Sequence, residues 1–292
     1  MEENWPARAW PRKSWPEELV NIPDPPKRLR IRGAMPPDFF RLCVVGPRKY
    51  TSYGELVCKK LISGLKGYPI SIISGLAHGI DSIAHETALE NHLHVIALPG
   101  SGLSDKAIYP RTRLNFAHKI LESGGCLISE YDDEFLATNW SFPRRNRLMV
   151  GLAKATLIIE AREKSGTMIT AKLTADYNRD MLTVPGSILS ENSIGANSLI
   201  KDGAQVIQSV TDIIDFLGLK KAASGVDSAD PSADLTGLSA GEKKIFLQID
   251  GMTNTETLLA KNNMAVETLN IILSSLEIQG LISVAGGQIC KK

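Results

Sequence analysis

The segment SFPRRNR (141–147) sets Arg144, Arg145 and Arg147 behind one aromatic ring, Phe142, with Asn146 among them and no acid. Guanidinium groups beside an aromatic face suit phosphate contacts next to a base-stacking surface, an arrangement that takes nucleic acid regardless of sequence. A solvated helix start with Phe142 in the core satisfies the same residues, and composition leaves the two readings level. Arginines at a helix start oppose the helix dipole, which is a reason to expect an anionic partner.

Glycine-marked turns extend this chemistry. VGPRKYTSYG (45–54) closes an apolar run with Gly46 and follows it with Arg48 and Lys49. SGLAHGID (74–81) supplies Gly75, and EKSGTMITA (163–171) puts Lys164, Ser165, Gly166 and Thr167 at the mouth of a helix. A helix N-terminus offers free N–H groups and a positive dipole end, both suited to an anion. One such turn is ordinary; several on one sheet edge describe an anion-binding crevice.

Other chemistries find little support. His78 and His85 make no metal-like spacing with any Cys or His, and no serine nucleophile elbow is present. No G-x-G-x-x-G follows a strand, which argues against a nicotinamide cofactor. No cofactor, metal or catalytic residue is expected. Asp81 and Glu130 read as structural acids, Asp81 capping the glycine turn or contacting an arginine.

The elements that must position these loops alternate. Runs at 29–32, 42–45, 70–74, 94–98, 126–130, 156–160 and 181–185 read as strands, and helical periodicity appears at 52–67, 79–91, 111–122, 144–153 and 167–178. Ser52 and Glu55 predict a capping box for the first of these helices. Alternation of this kind predicts an α/β fold, an extended Rossmann-like domain with a mostly parallel sheet, whose ligands bind at the carboxyl ends of the strands.

Trp5-Pro6, Trp10-Pro11 and Trp15-Pro16 predict an extended N-terminal arm over residues 1–28, with the indoles against the body or free for a partner. The Rossmann-like domain follows at 29–220. Residues 221–237 read as a linker by composition, and 238–292 as a small domain of three helices and a hairpin, a winged-helix module.

The net charge of +1 says nothing about a partner, because a field is local. Cys43, Cys58, Cys126 and Cys290 lack CxxC spacing and predict reduced thiols. With no signal peptide and no long apolar window, a cytoplasmic protein without membrane contact is expected.

In order, VGPRKYTSYG, SGLAHGID, LPGSGL (98–103) with Tyr109-Pro110, SEY (129–131), FPRRNR, EAREKSGTMITA (160–171), VPGSI (184–188) and GANSLIKDGA (195–204) resemble the DNA-processing protein A family, also called Smf. WPEELVNIPDPPKRLRIRG (15–33) resembles the segment before that family's first glycine loop, and the likeness runs over residues 15–217. The resemblance implies a homodimer that binds single-stranded DNA, protects it and helps load the RecA recombinase during natural transformation, without enzymatic activity. It implies DNA contacts at Arg48, at Phe142, Arg144, Arg145, Asn146 and Arg147, at Lys164, Ser165 and Thr167, and at Lys201.

There are departures. Pro47 stands where the family has serine or threonine, and His78 where arginine or alanine is common. The N-terminal helical domain of many members is expected to be absent or reduced to the Trp-Pro arm. The segment AVETLNIILSSLEIQ carries Glu267 and Glu277 but no Lys or Arg, so protein contact is expected of that module rather than DNA reading. Two alternatives compete with this reading. One is a Rossmann-like enzyme cleaving nucleoside monophosphates, whose paired glycines EKSGTMIT lacks; the other is a DNA-binding regulator acting through the winged helix.

Overall fold

The apolar runs assemble into a sheet of β1 (Arg8–Ala9), β2 (Arg30–Gly33), β3 (Phe40–Val45), β4 (Ile70–Ser74), β5 (His94–Ala97), β6 (Cys126–Ser129), β7 (Ala155–Ile158), β8 (Asp180–Thr183) and β9 (Gln205–Val206). Their order across the sheet is β1-β2-β6-β5-β4-β3-β7-β8-β9, parallel from β6 to β9 and antiparallel at β1 and β2. This is a computed structural model that describes residues 5–220, 238–249, 253–262, 264–279, 281–285 and 288–291. The expected linker at 221–237 lies outside the described residues.

Every residue of β4 is buried, as a strand covered on both faces requires. Strand alternation divides the core accordingly. Leu42 and Val44 of β3 join Ile70, Ile72 and Leu127 on one face, while Cys43 and Val45 join Ile73, Ile96 and Ile128 on the other. Helices α1 (Glu17–Val20), α2 (Ser52–Ser63), α3 (Ile80–Glu90), α4 (Leu114–Glu122), α5 (Ser141–Leu152), α6 (Gly166–Asp176), α7 (Glu191–Lys201) and α8 (Val210–Leu217) complete this part.

One helix start differs from expectation. Thr51, with extended backbone, caps α2 by accepting from Gly54 N at 3.1 Å, so Ser52 is already helical. Glu55 reaches forward to Lys59 at 2.7 Å instead of back to a cap.

The N-terminal segment is part of the body. β1 pairs antiparallel with β2, Trp15 is buried and Trp5 packs against the core. Leu19 of α1 packs on Gly151 of α5, where a Cβ would come within 2.9 Å of it.

The chain divides into two compact units, Met1–Ala223 and Ser224–Lys292. The second contains α9 (Ala240–Gln248), β10 (Thr253–Asn254), α10 (Thr255–Asn262), α11 (Val266–Ile278), β11 (Ile282–Ala285) and β12 (Gln288–Lys291). Its strands form an antiparallel sheet in the order β10-β12-β11. Its own core includes Ile245, Leu258, Leu269, Leu273 and Leu276.

Candidate functional site

From β3 the chain builds outward in one direction through β4, β5 and β6, and in the other through β7, β8 and β9. Connections leaving β3 and β7 therefore diverge to opposite faces and leave a crevice at their carboxyl ends. A cleft of about 580 Å³ opens there, lined by Gly46, Pro47, Arg48 and Lys49 after β3, Ala77, His78 and Asp81 after β4, Tyr109 after β5, and Asn139, Phe142, Pro143, Arg145, Asn146 and Met149 after β6. Arg162, Ser165, Gly166, Thr167, Ile169 and Thr170 complete it after β7.

Close backbone approach fixes the first loop. Ile80 N donates to Pro47 O at 3.3 Å, and Gly79, at φ 87°, allows the two backbone segments to touch. A Cβ on Gly79 would collide with Pro47 O and Arg48 Cα. Pro47 lacks an N–H, yet its carbonyl fastens the loop to α3.

Phe142 is neither in the core nor fully solvated. It rests on Gly100, where a Cβ would stand 2.5 Å from the ring, and its centroid lies 5.6 Å from that of Tyr109. Arg48 Cζ sits 5.7 Å from the Phe142 centroid. A cation beside a partly exposed aromatic pair offers both a phosphate contact and a stacking surface.

The three arginines of SFPRRNR separate. Arg145 is 5% exposed on the cleft floor, donating to Leu98 O and standing beside Asp81. Its guanidinium lies over Gly75, where a Cβ would collide with it. Asp81 accepts from Gly75 N at 3.1 Å, so it both caps the turn and faces an arginine. Burial pushes the Asp81 carboxyl above its ordinary value, and Arg145 pulls it back.

Arg147 does not line the cleft. It is buried and paired with Glu130 and Asp24, donating to Asp24 O at 2.8 Å. Arg144 is half exposed outside the cleft lining, 3.4 Å from Glu130 Oε1. The segment without an acid thus finds its acid at the end of β6. Of the three, Arg147 has its charge matched inside the protein and away from the cleft lining.

Ser165 caps α6, accepting from Met168 N at 3.4 Å, and no acid occupies that helix's first turn. Lys164 is exposed next to this cap but is not in the lining, and Lys201 is exposed at the end of α7, away from it. Gly75 borders a small annex of about 40 Å³ with Arg48, His78 and Phe142. Asn146 Nδ2 donates to Thr170 Oγ1 at 3.1 Å, tying α5 to α6.

Arg162 and Tyr109 line the cleft, although the sequence places no DNA contact at either and Tyr109 enters there only within the Tyr109-Pro110 motif. Signals existed: Arg162 opens the turn after the acid at 160, and Tyr109 precedes a proline after the glycine-rich 98–103. Behind Arg162, Glu160 is buried and accepts from the Thr51 amide at 3.1 Å and from its hydroxyl.

Among the described residues, no group of three or more His, Cys, Asp or Glu could hold a metal, and no helix is long and apolar enough to cross a membrane. Cys43, Cys58 and Cys126 are buried free thiols, with burial pushing Cys58 up to about 12.

Residues 8–218 match the family described as DNA recombination-mediator protein A. Protein Smf of Escherichia coli is 31% identical over 274 residues, covering 92% of this chain and 73% of the relative. The X-ray structure of DNA processing protein A from Streptococcus pneumoniae superposes with a TM-score of 0.66 at 32% identity, over 73% of this chain and 74% of that one. A structure of DNA processing protein A from Helicobacter pylori, described by its single-stranded DNA binding mode, gives 0.65 at 29% identity, over 73% and 96%.

Proposed function

The chain belongs to the DNA recombination-mediator protein A family, and from that premise we propose that its cleft binds single-stranded DNA without altering it chemically. The observation that carries this reading is the Phe142–Tyr109 pair with Arg48 beside it, at the sheet's switch point. Arg48, Lys49, Arg162 and the N-terminus of α6 supply phosphate contacts, and the ring faces accept any base. The single-stranded DNA binding described for the Helicobacter pylori relative supports the assignment. Binding without catalysis is supported by Asp81, a cleft-lining acid committed to Gly75 and Arg145.

The test is single-strand affinity measured against salt for the wild type and Arg48→Ala. Log affinity is expected to fall with log salt at about −0.7 per phosphate neutralised. Arg48→Ala should weaken all sequences alike and flatten that slope. Equal affinity for duplex, or no response to the substitution, would overturn the reading.

Family membership further supports a cytoplasmic homodimer that protects incoming strands and helps load RecA during natural transformation. Light scattering of the pure protein, and RecA filament assembly with and without it, test these two statements separately. Lys164 at the rim is a further proposed phosphate contact. The second unit is proposed as a protein-contact module, because α11 carries Glu267 and Glu277 and no cation.

A further inference from the structure

We infer that Asn192 is a positioning residue for the cleft: it clamps the Lys49 loop and the Arg162 side chain together, so that two walls grip phosphate as one unit. This rests on the reading of the cleft as a single-strand site. Asn192 is outside the cleft lining, in the first turn of α7, and only 5% exposed.

Its side chain works in both directions. Nδ2 donates to Lys49 O at 2.9 Å and lies 3.5 Å from Glu160 Oε2. Oδ1 accepts from Arg162 Nε at 2.6 Å. A carboxamide combines a donor and an acceptor on one short planar group, independently of pH. An aspartate would keep the bond to Arg162, lose the one to Lys49, and face Glu160 with like charge.

The backbone holds the clamp still. Ala161 N donates to Asn192 O at 2.8 Å, and Gly195 N to Ala161 O at 2.8 Å. A Cβ on Gly195 would stand 2.8 Å from Ala161 O, so α7 lies directly on the backbone before Arg162. With Nε held by Asn192, Arg162 keeps its terminal nitrogens for other partners, one of them 3.7 Å from Glu191 Oε2. The side chain is half exposed, and holding its Nε before a ligand arrives lowers the ordering cost of binding.

The experiment compares wild type, Asn192→Ala and Asn192→Asp, each also combined with Arg162→Ala. Hydrogen exchange of the free protein is read at the amides around 49–51, and an oligothymidylate is titrated at several salt concentrations. Exchange there should quicken in both Asn192 variants. Affinity should fall about tenfold in Asn192→Ala, with the salt slope smaller in magnitude by about 0.7 or more, and less in Asn192→Asp, which still holds Arg162.

In the Arg162→Ala background, Asn192→Ala should cost distinctly less than in the wild type. Fully additive losses, or a weaker affinity with unchanged slope and unchanged loop exchange, would reduce Asn192 to a fastener of α7 and overturn the inference. A wild type that ignores single strands overturns the cleft reading instead. The loop exchange then still decides whether the clamp exists.

Discussion

Arg144 and Arg145 are adjacent and have opposite tasks. Arg145 is enclosed with Asp81, Gly75 and Leu98 O, whereas Arg144 is half exposed beside Glu130. Removing Arg145 leaves a carboxylate buried without its partner, so Arg145→Ala should cost about 3–5 kcal/mol in urea unfolding. Arg144→Ala should stay within about 0.5 kcal/mol. Phe142→Leu keeps apolar bulk over Gly100 but removes the ring face; single-strand binding should weaken by about 1–3 kcal/mol with little change in unfolding midpoint. The segment was legible as basic and aromatic, but the division of labour within it was not. Glu130, which takes the Arg147 charge, is 17 positions away and reaches it only because β6 and α5 fold together. Asn192 was illegible for the same reason, being 143 positions from the Lys49 carbonyl it holds.

At the scale of elements, the β3 and β4 runs could be read directly, because strands buried on both faces are near-continuously apolar, and Arg41, Ser71 and Ser74 interrupt these two only briefly. Short edges could not: β9 has two residues, Gln205 and Val206, and exists through its pairing with β8. The start of α2 was misread by one residue, since Thr51 and Ser52 are both good caps and only the extended backbone at Thr51 decides. Thr51→Ala should destabilise by about 1 kcal/mol or more, because it loses the cap and also a hydrogen bond to buried Glu160. Gly79→Ala should be worse than an ordinary glycine replacement of about 1 kcal/mol, since it pays for positive φ and for the collision with Pro47 O. Circular dichroism melting checks both. In Gly79→Ala single-strand affinity should fall as well, because the Arg48 loop loses its seat on α3.

For the whole molecule, the two units have separate cores and the cleft belongs to the first. Removing residues 221–292 should leave most single-strand affinity intact, measured by anisotropy; loss of most affinity would move the site to the second unit. Stability should also follow pH through His85. Its imidazole is fully buried against Phe116, and burial followed by the nearby Arg113 charge pushes it from 6.5 down to about 3. The unfolded chain takes up this proton more readily, so the contribution is complete above pH 6.5 and is lost as pH falls toward 3, by about 1.4 kcal/mol per unit. Comparing urea midpoints across this range with His85→Phe isolates the slope from that of Asp81, whose raised carboxyl contributes with opposite sign. The fold class was legible from the alternation of strands and helices, whereas the docking of the Trp-Pro segment as β1 depended on contacts with distant strands. The pairing of β3 with β7 also sets a schedule for biosynthesis. Arg41, just inside β3, meets the Leu152 carbonyl 111 positions later, so a nascent chain can pair β3 with β4 long before β7 leaves the ribosome. Until then one wall of the cleft is missing, and the growing polypeptide carries only an unfinished version of the proposed nucleic-acid grip beside the messenger that encodes it.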